Sequence, residues 1–176
     1  MLDQTQRTRS GQARDRRDAS DLSPQLRIKL SPETVAVLKG ACVRAGERET
    51  GGMLFGEHIT KGDFVVVEAT VEAVGLFASF VRAIKDGFAK LENFFRRTRY
   101  DFTRFNYLGE WHSHPSFALI PSSTDSATMQ AIVEEPSTGA LFLVLLIVKL
   151  EENELRAGAW AYFPGSPRQT CVVTLE

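Results

Sequence analysis

The stretch Gly109–Asp125, GEWHSHPSFALIPSSTD, decides how the rest of the chain is read. The chain has three histidines, and two of them, His112 and His114, stand here one residue apart. Asp125 follows eleven residues after the second, just behind Pro121 and a Ser-Ser pair. The residues NYLGEWHSHP read as a strand that ends at its proline, so imidazoles at i and i+2 point to one face and can reach one ion. On a helix they would diverge by about 200°. Ser122 or Ser123 can cap a helix running towards Glu134, which puts Asp125 in the first turn, where the helix dipole favours a carboxylate. Neutral imidazoles and a carboxylate are natural ligands for zinc, and a catalytic zinc keeps three protein ligands and one open position. The plainer alternative is an ordinary turn with incidental histidines, and the joint spacing of three ligand-type residues speaks against it. Trp111 is expected to face opposite His112, Ser113 to point away, and His58 to be a surface histidine outside the pattern.

Elements on either side are legible from their periodicity. LRIKL alternates Leu26, Ile28 and Leu30 inward with Arg27 and Lys29 outward, the period of a strand. A helix then starts at Ser31-Pro32, since Ser31 can cap and Pro32 has no N–H to leave unsatisfied. Val35, Leu38, Cys42 and Ala45 share its apolar face, and Gly46 is its stop. ETGGMLFGEH and DFVVVEATVEA read as strands. Residues 82–99 place Ile84, Phe88, Leu91, Phe94 and Phe95 at helical intervals among basic residues, which predicts an amphipathic helix. GALFLVLLIVKL is apolar throughout, and its β-branched content and flanking Gly139 favour a buried strand over a helix. ELRAGAWAYF and TCVVTL close the chain as strands. The sum is an α+β, or mixed α/β, fold with helices flanking one curved sheet.

A chain of 176 residues, 43% hydrophobic, is one domain's worth and can bury a single core. With a net charge of -1, no basic field argues for nucleic acid. Residues 1–24 are polar, with no strand or helix period, and read as a flexible extension ahead of a domain at 25–176. They contain no apolar signal-type core, and the longest apolar run, Ala140–Val148, is far shorter than the roughly 20 residues of a membrane helix. No membrane association and a cytoplasmic location are expected. Cys42 and Cys171 lie in apolar surroundings and read as two buried thiols.

HSHPSFALIPSSTD resembles the His-x-His-Pro-x6-Ser-x-x-Asp signature of the JAMM/MPN-plus metalloproteases. That family also carries an upstream glutamate in an E-x-x-G-x-L-x-G context, and ETGGMLFG supplies it with Glu49, Gly52, Leu54 and Gly56. Order and separation both match. The resemblance implies a cytidine-deaminase-like MPN/JAB domain built on a single, mostly antiparallel curved sheet. It also implies Zn2+ held by His112, His114 and Asp125. Glu49, rather than Glu47 or Glu57, would be general base and then general acid, and Ser122 would donate a hydrogen bond to the developing oxyanion.

Members of this family commonly cleave after the C-terminal Gly-Gly of ubiquitin or a ubiquitin-like protein, and an extended tail would add as a strand beside the groove. The compact chain is most similar to bacterial members encoded with E1-like and E2-like enzymes, some of them antiphage. The expected activity is therefore deconjugation or precursor processing of a bacterial ubiquitin-like protein. Two alternatives remain: a peptidase for a sulfur-carrier protein or small peptide, and a non-catalytic MPN scaffold. Phe94, Phe95, Arg96, Arg97 and Arg99, in the insertion 76–105, either dock the ubiquitin-like body or pack a helix on the core with its cations in water.

Overall fold

The computed structural model describes residues 25–72 and 80–176, so the extension expected over residues 1–24 lies outside the described residues. Strand β1 is Arg27–Leu30, α1 is Pro32–Ala45, β2 is Gly51–Thr60 and β3 is Asp63–Ala69. Helix α2 is Phe80–Arg97, β4 is Phe105–Ser113 and α3 is Ser123–Glu134. Strands β5 (Leu143–Glu151), β6 (Glu154–Phe163), β7 (Ser166–Thr170) and β8 (Val172–Leu175) follow. They form one sheet in the order β7-β6-β5-β4-β2-β3-β1-β8. Pairs β2–β3, β2–β4, β5–β6 and β6–β7 are antiparallel, and β1–β3, β1–β8 and β4–β5 are parallel. The sheet is mixed and mostly antiparallel, with helices on both faces, as the patterning predicts.

The apolar run of β5 serves two cores at once. Val144, Leu146 and Val148 face one cluster, together with Leu38 and Cys42 of α1 and Trp111 of β4. Leu143, Leu145 and Ile147 face the other, with Met129, Ile132 and Val133 of α3. A central strand covered by a helix on each face has no polar side to show, which is why its sequence does not alternate. Each of these six side chains is 0–1% exposed, and each such burial stabilises by roughly 1.5–3 kcal/mol.

Helix α1 begins as its sequence dictates: Ser31 Oγ accepts from the Thr34 amide at 3.2 Å, and Gly46 closes it with φ 62°. The expected helix over 82–99 ends earlier, at Arg97, because Arg99 and Tyr100 turn into the left-handed region with φ 56° and 55°. Strand β7 was not legible: Ser166–Thr170 is exposed along its whole length and carries Pro167, so no burial alternation marks it. Both cysteines are free and buried, and burial pushes the Cys171 thiol up to about 12. Among the described residues no helix is long and apolar enough to cross a membrane.

A candidate metal centre at the end of strand β4

Strand β4 lies between β2 and β5, with His112 opposite Gly51 on one side and Ile147 on the other. The strand itself ends at Ser113, two residues before the expected proline, yet its pairing carries on: the His114 amide donates to Val148 O at 2.8 Å. Ser113 is held by β2, its amide donating to Thr50 O at 2.7 Å while its Oγ accepts from the Thr50 amide at 3.0 Å. Side-chain alternation then sends Trp111 and Ser113 away from the imidazoles. Trp111 is fully buried in the core against α1, and its indole N–H donates to Thr70 O at 2.8 Å.

That same carbonyl explains Gly52, the glycine of the upstream motif. Thr70 crosses so close that a Cβ on Gly52 would lie 2.2 Å from Thr70 O, so only glycine admits the crossing. At the other end of the pairing, Gly109 has φ +144°, and a Cβ there would lie 2.0 Å from Val144 O. Leu108 is left over opposite β2, where the register slips between Leu54 and Phe55. This bulge re-aims the strand so that Tyr107, Glu110 and His112 share the face towards α3.

On that face His112 Nε2 and His114 Nε2 lie 2.9 Å apart, and Asp125 Oδ2 lies 3.6 Å from the first and 3.9 Å from the second. Tetrahedral zinc with bonds of about 2.0–2.1 Å holds its ligand atoms about 3.3–3.4 Å apart, so one ion fits this triangle after shifts of a few tenths of an ångström. The donor set, two imidazoles and a carboxylate, suits a borderline divalent cation. His114 Nδ1 lies 2.8 Å from the Ala118 carbonyl. Donation to that carbonyl puts the proton on Nδ1 and turns the Nε2 lone pair to the centre. Burial lowers the His112 pKa to about 4, with Asp125 opposing and His114 reinforcing the shift. The imidazole is therefore neutral, the form that binds a metal.

Asp125 sits at the third position of α3. Its amide donates to Ser122 Oγ at 3.1 Å, and its Oδ2 accepts from the Ser122 amide at 2.8 Å, a reciprocal capping box. Burial raises its pKa, but the Ser122 hydrogen bonds and the two imidazoles outweigh it and hold the carboxyl below its usual range. Ser122 therefore meets Asp125 through both its amide and its hydroxyl.

Glu49 is exposed and stands just before β2, outside the triangle of ligand-type atoms. Gly51 pairs with His112 and Thr50 bonds Ser113, so Glu49 stands directly ahead of the segment paired with the histidine end of β4. His58 is exposed and stacks on Phe64 at 5.2 Å on the descending part of β2, away from this cluster. In the insertion, Phe94 is 2% exposed and stacks on Phe55 at 4.5 Å, while Arg97 donates to Glu68 at 2.6 Å. Packing on the core therefore accounts for Phe94, and an ion pair for Arg97.

Sequence reasoning missed Glu110. It lies on the site's face, where Tyr107 Oη donates to it at 2.5 Å. Burial pushes its carboxyl up to about 8, with Glu72 adding in the same direction against the Tyr107 hydrogen bond. Its position two residues before His112 was the available signal.

A family model described as prokaryotic homologs of the JAB domain matches residues 31–161. The chain belongs to this family. The JAB domain's fold is shared with a Desulfitobacterium hafniense protein solved in solution, at a TM-score of 0.58 and 18% identity over 85% of this chain and 92% of that one. A JAB1/MPN domain protein from Archaeoglobus fulgidus aligns at a TM-score of 0.45 and 14% identity, over 86% of this chain and 99% of that one. In sequence, the domain is 29% identical over 125 residues to a protein of Enterobacter hormaechei subsp. hoffmannii named CD-NTase/cGAS isopeptidase. That alignment covers 69% of this chain and 66% of the relative, just under two thirds of its length.

Proposed function

We propose that residues 25–176 form a zinc-dependent isopeptidase that cleaves after the C-terminal Gly-Gly of a bacterial ubiquitin-like protein, in deconjugation from targets or in precursor processing. The observation that carries the proposal is the convergence of His112 Nε2, His114 Nε2 and Asp125 Oδ2 within 2.9–3.9 Å of one another. The resemblance to a relative named an isopeptidase supports reading the scissile bond as an isopeptide. By the same reading the partners are the ubiquitin-like protein, its conjugates and the E1-like and E2-like enzymes of an antiphage conjugation system, and the setting is cytoplasmic.

His112, His114 and Asp125 hold the ion, which when bound acidifies water and polarises the substrate carbonyl. Glu49 takes a proton from the attacking water and returns it to the leaving amine. The Ser122 hydroxyl, held at the helix cap beside Asp125, donates to the carbonyl oxygen as negative charge develops there. Asp125 is held towards its ionised, ligating form by the Ser122 hydroxyl and amide and by the helix N-terminus.

The test is cleavage of a fusion whose scissile bond follows Gly-Gly of a ubiquitin-like protein, with and without chelator, beside Glu49→Gln. Cleavage abolished by chelation and restored by zinc is expected, with Glu49→Gln binding zinc at full stoichiometry and failing to turn over. Cleavage that survives both treatments overturns the mechanism. One zinc per chain with no Gly-Gly fusion cleaved overturns the substrate and leaves the metal site standing.

A further inference from the structure

Beyond the ligands, one polar chain runs from the far edge of the sheet to the metal triangle. Ser126 stands one turn into α3, and its hydroxyl donates to the Ser122 carbonyl at 2.9 Å. It accepts from the phenol of Tyr162 at 3.3 Å and from the guanidinium Nη1 of Arg168. One donation and two acceptances exhaust a serine hydroxyl, so its rotor has one orientation. Ser122 in turn presents its amide to Asp125 Oδ2, the oxygen that faces both imidazoles. Tyr162 is 1% exposed and immobilised in the core beneath α3. Arg168 comes from the edge strand β7, where the register slips between Ala161 and Phe163. Continuing the register of the Trp160–Thr170 and Ala161–Gln169 pairs by one step sets Arg168 opposite Tyr162, so the two reach Ser126 from the same face.

We propose that Arg168 is a positioning residue for the metal site: through Ser126 it fixes the backbone of Ser122 and thereby the Asp125 carboxylate. The proposal rests on the zinc reading of His112, His114 and Asp125. A guanidinium donating into Ser126 Oγ polarises that hydroxyl and strengthens its own donation to Ser122 O. Ser122 O also takes the Ser126 amide at 3.1 Å, so residue Ser122 is clamped twice at its carbonyl, and its own N–H, in the preceding peptide group, holds the ligand. Partners that orient a metal ligand are worth roughly 10–100-fold in metal affinity when removed. None of these groups touches the ion, so the effect belongs to affinity and geometry rather than to chemistry.

The experiment is zinc affinity of the full chain by competition with a chromophoric chelator, comparing wild type with Arg168→Lys, Arg168→Met and Ser126→Ala. Lys and Met have similar length and differ in the N–H donor, and the position is on an exposed edge strand, so both variants keep the packing. Arg168→Met and Ser126→Ala are expected to weaken zinc at least ~10-fold, with Arg168→Lys staying within about threefold of wild type. Met as tight as wild type, or Lys as weak as Met, overturns the positioning role and leaves the metal site intact. A wild-type chain that binds no zinc overturns both. Should Ser126→Ala fail to fold, the Lys and Met pair still decides the matter.

Discussion

Ser122 and Asp125 hold one another across the first turn of α3, each amide hydrogen-bonded to the other's side-chain oxygen, at 3.1 and 2.8 Å. The Ser-x-x-Asp of the motif is therefore a helix N-terminus, and in the proposed function it is also half of the catalytic constellation. Ser122→Ala removes the side-chain half of the cap, about 1 kcal/mol, and leaves the Ser122 amide on Asp125. Zinc stoichiometry is expected to hold, the urea midpoint to fall slightly, and kcat to drop roughly 100–1,000-fold from the lost oxyanion donor. A stability change that small leaves nearly every molecule folded, so the two effects separate cleanly. Unchanged kcat on a Gly-Gly fusion would sink the role.

His112 sets a pH dependence in the metal-free chain. Its folded value of about 4 lies below the ordinary 6.5, so between those limits the unfolded chain binds the extra proton. Stability is complete above pH 6.5 and declines as the pH falls towards 4, by about 3 kcal/mol at most. Urea midpoints at pH 5 and 7 read this directly. His112→Gln should flatten the slope, and an equal slope in both proteins would show that other groups carry it.

Glu110 acts in the opposite sense. Its folded value of about 8 exceeds the ordinary 4.5, so the folded chain holds the extra proton and loses stability as the pH rises from 4.5 through 8. Glu110→Gln keeps the shape and cannot ionise, and in the metal-free chain it should become more stable than wild type by a few kcal/mol at pH 8, with little difference at pH 4.5. Thermal midpoints across that range test it, and parallel curves would refute it.

Gly109→Ala should unfold the centre of the sheet. At φ +144° with Val144 O 2.0 Å from the added carbon, neither backbone can yield without breaking the β4–β5 ladder. A loss of about 3 kcal/mol or more is expected, along with reduced zinc binding, because His112 lies three residues on in the same strand. Denaturant midpoints within about 0.5 kcal/mol of wild type would show that the bulge is plastic.

How much of this could be read in advance depends on how local each cause is. Ile28 and Leu30 alternate with Lys29, Ser31-Pro32 caps and starts a helix, and two histidines at i and i+2 share a face. These follow from neighbours along the chain. Strand β7 gave no such signal, since Ser166–Thr170 buries nothing and only pairs with β6. Arg168 and Tyr162 meet Ser126 across 42 and 36 residues, so no spacing could have marked them.

The chain by itself determined most of its elements, its ligand-type residues and the cap that presents Asp125, because strand pleat, helix pitch and capping act over two to four residues. Only the tertiary structure decided that β8 returns to pair in parallel with β1, that Thr70 crosses Gly52, and that Glu110 is half-buried beside Tyr107. Those contacts join distant segments, and the desolvation and close approach that give them meaning exist only once the sheet has closed.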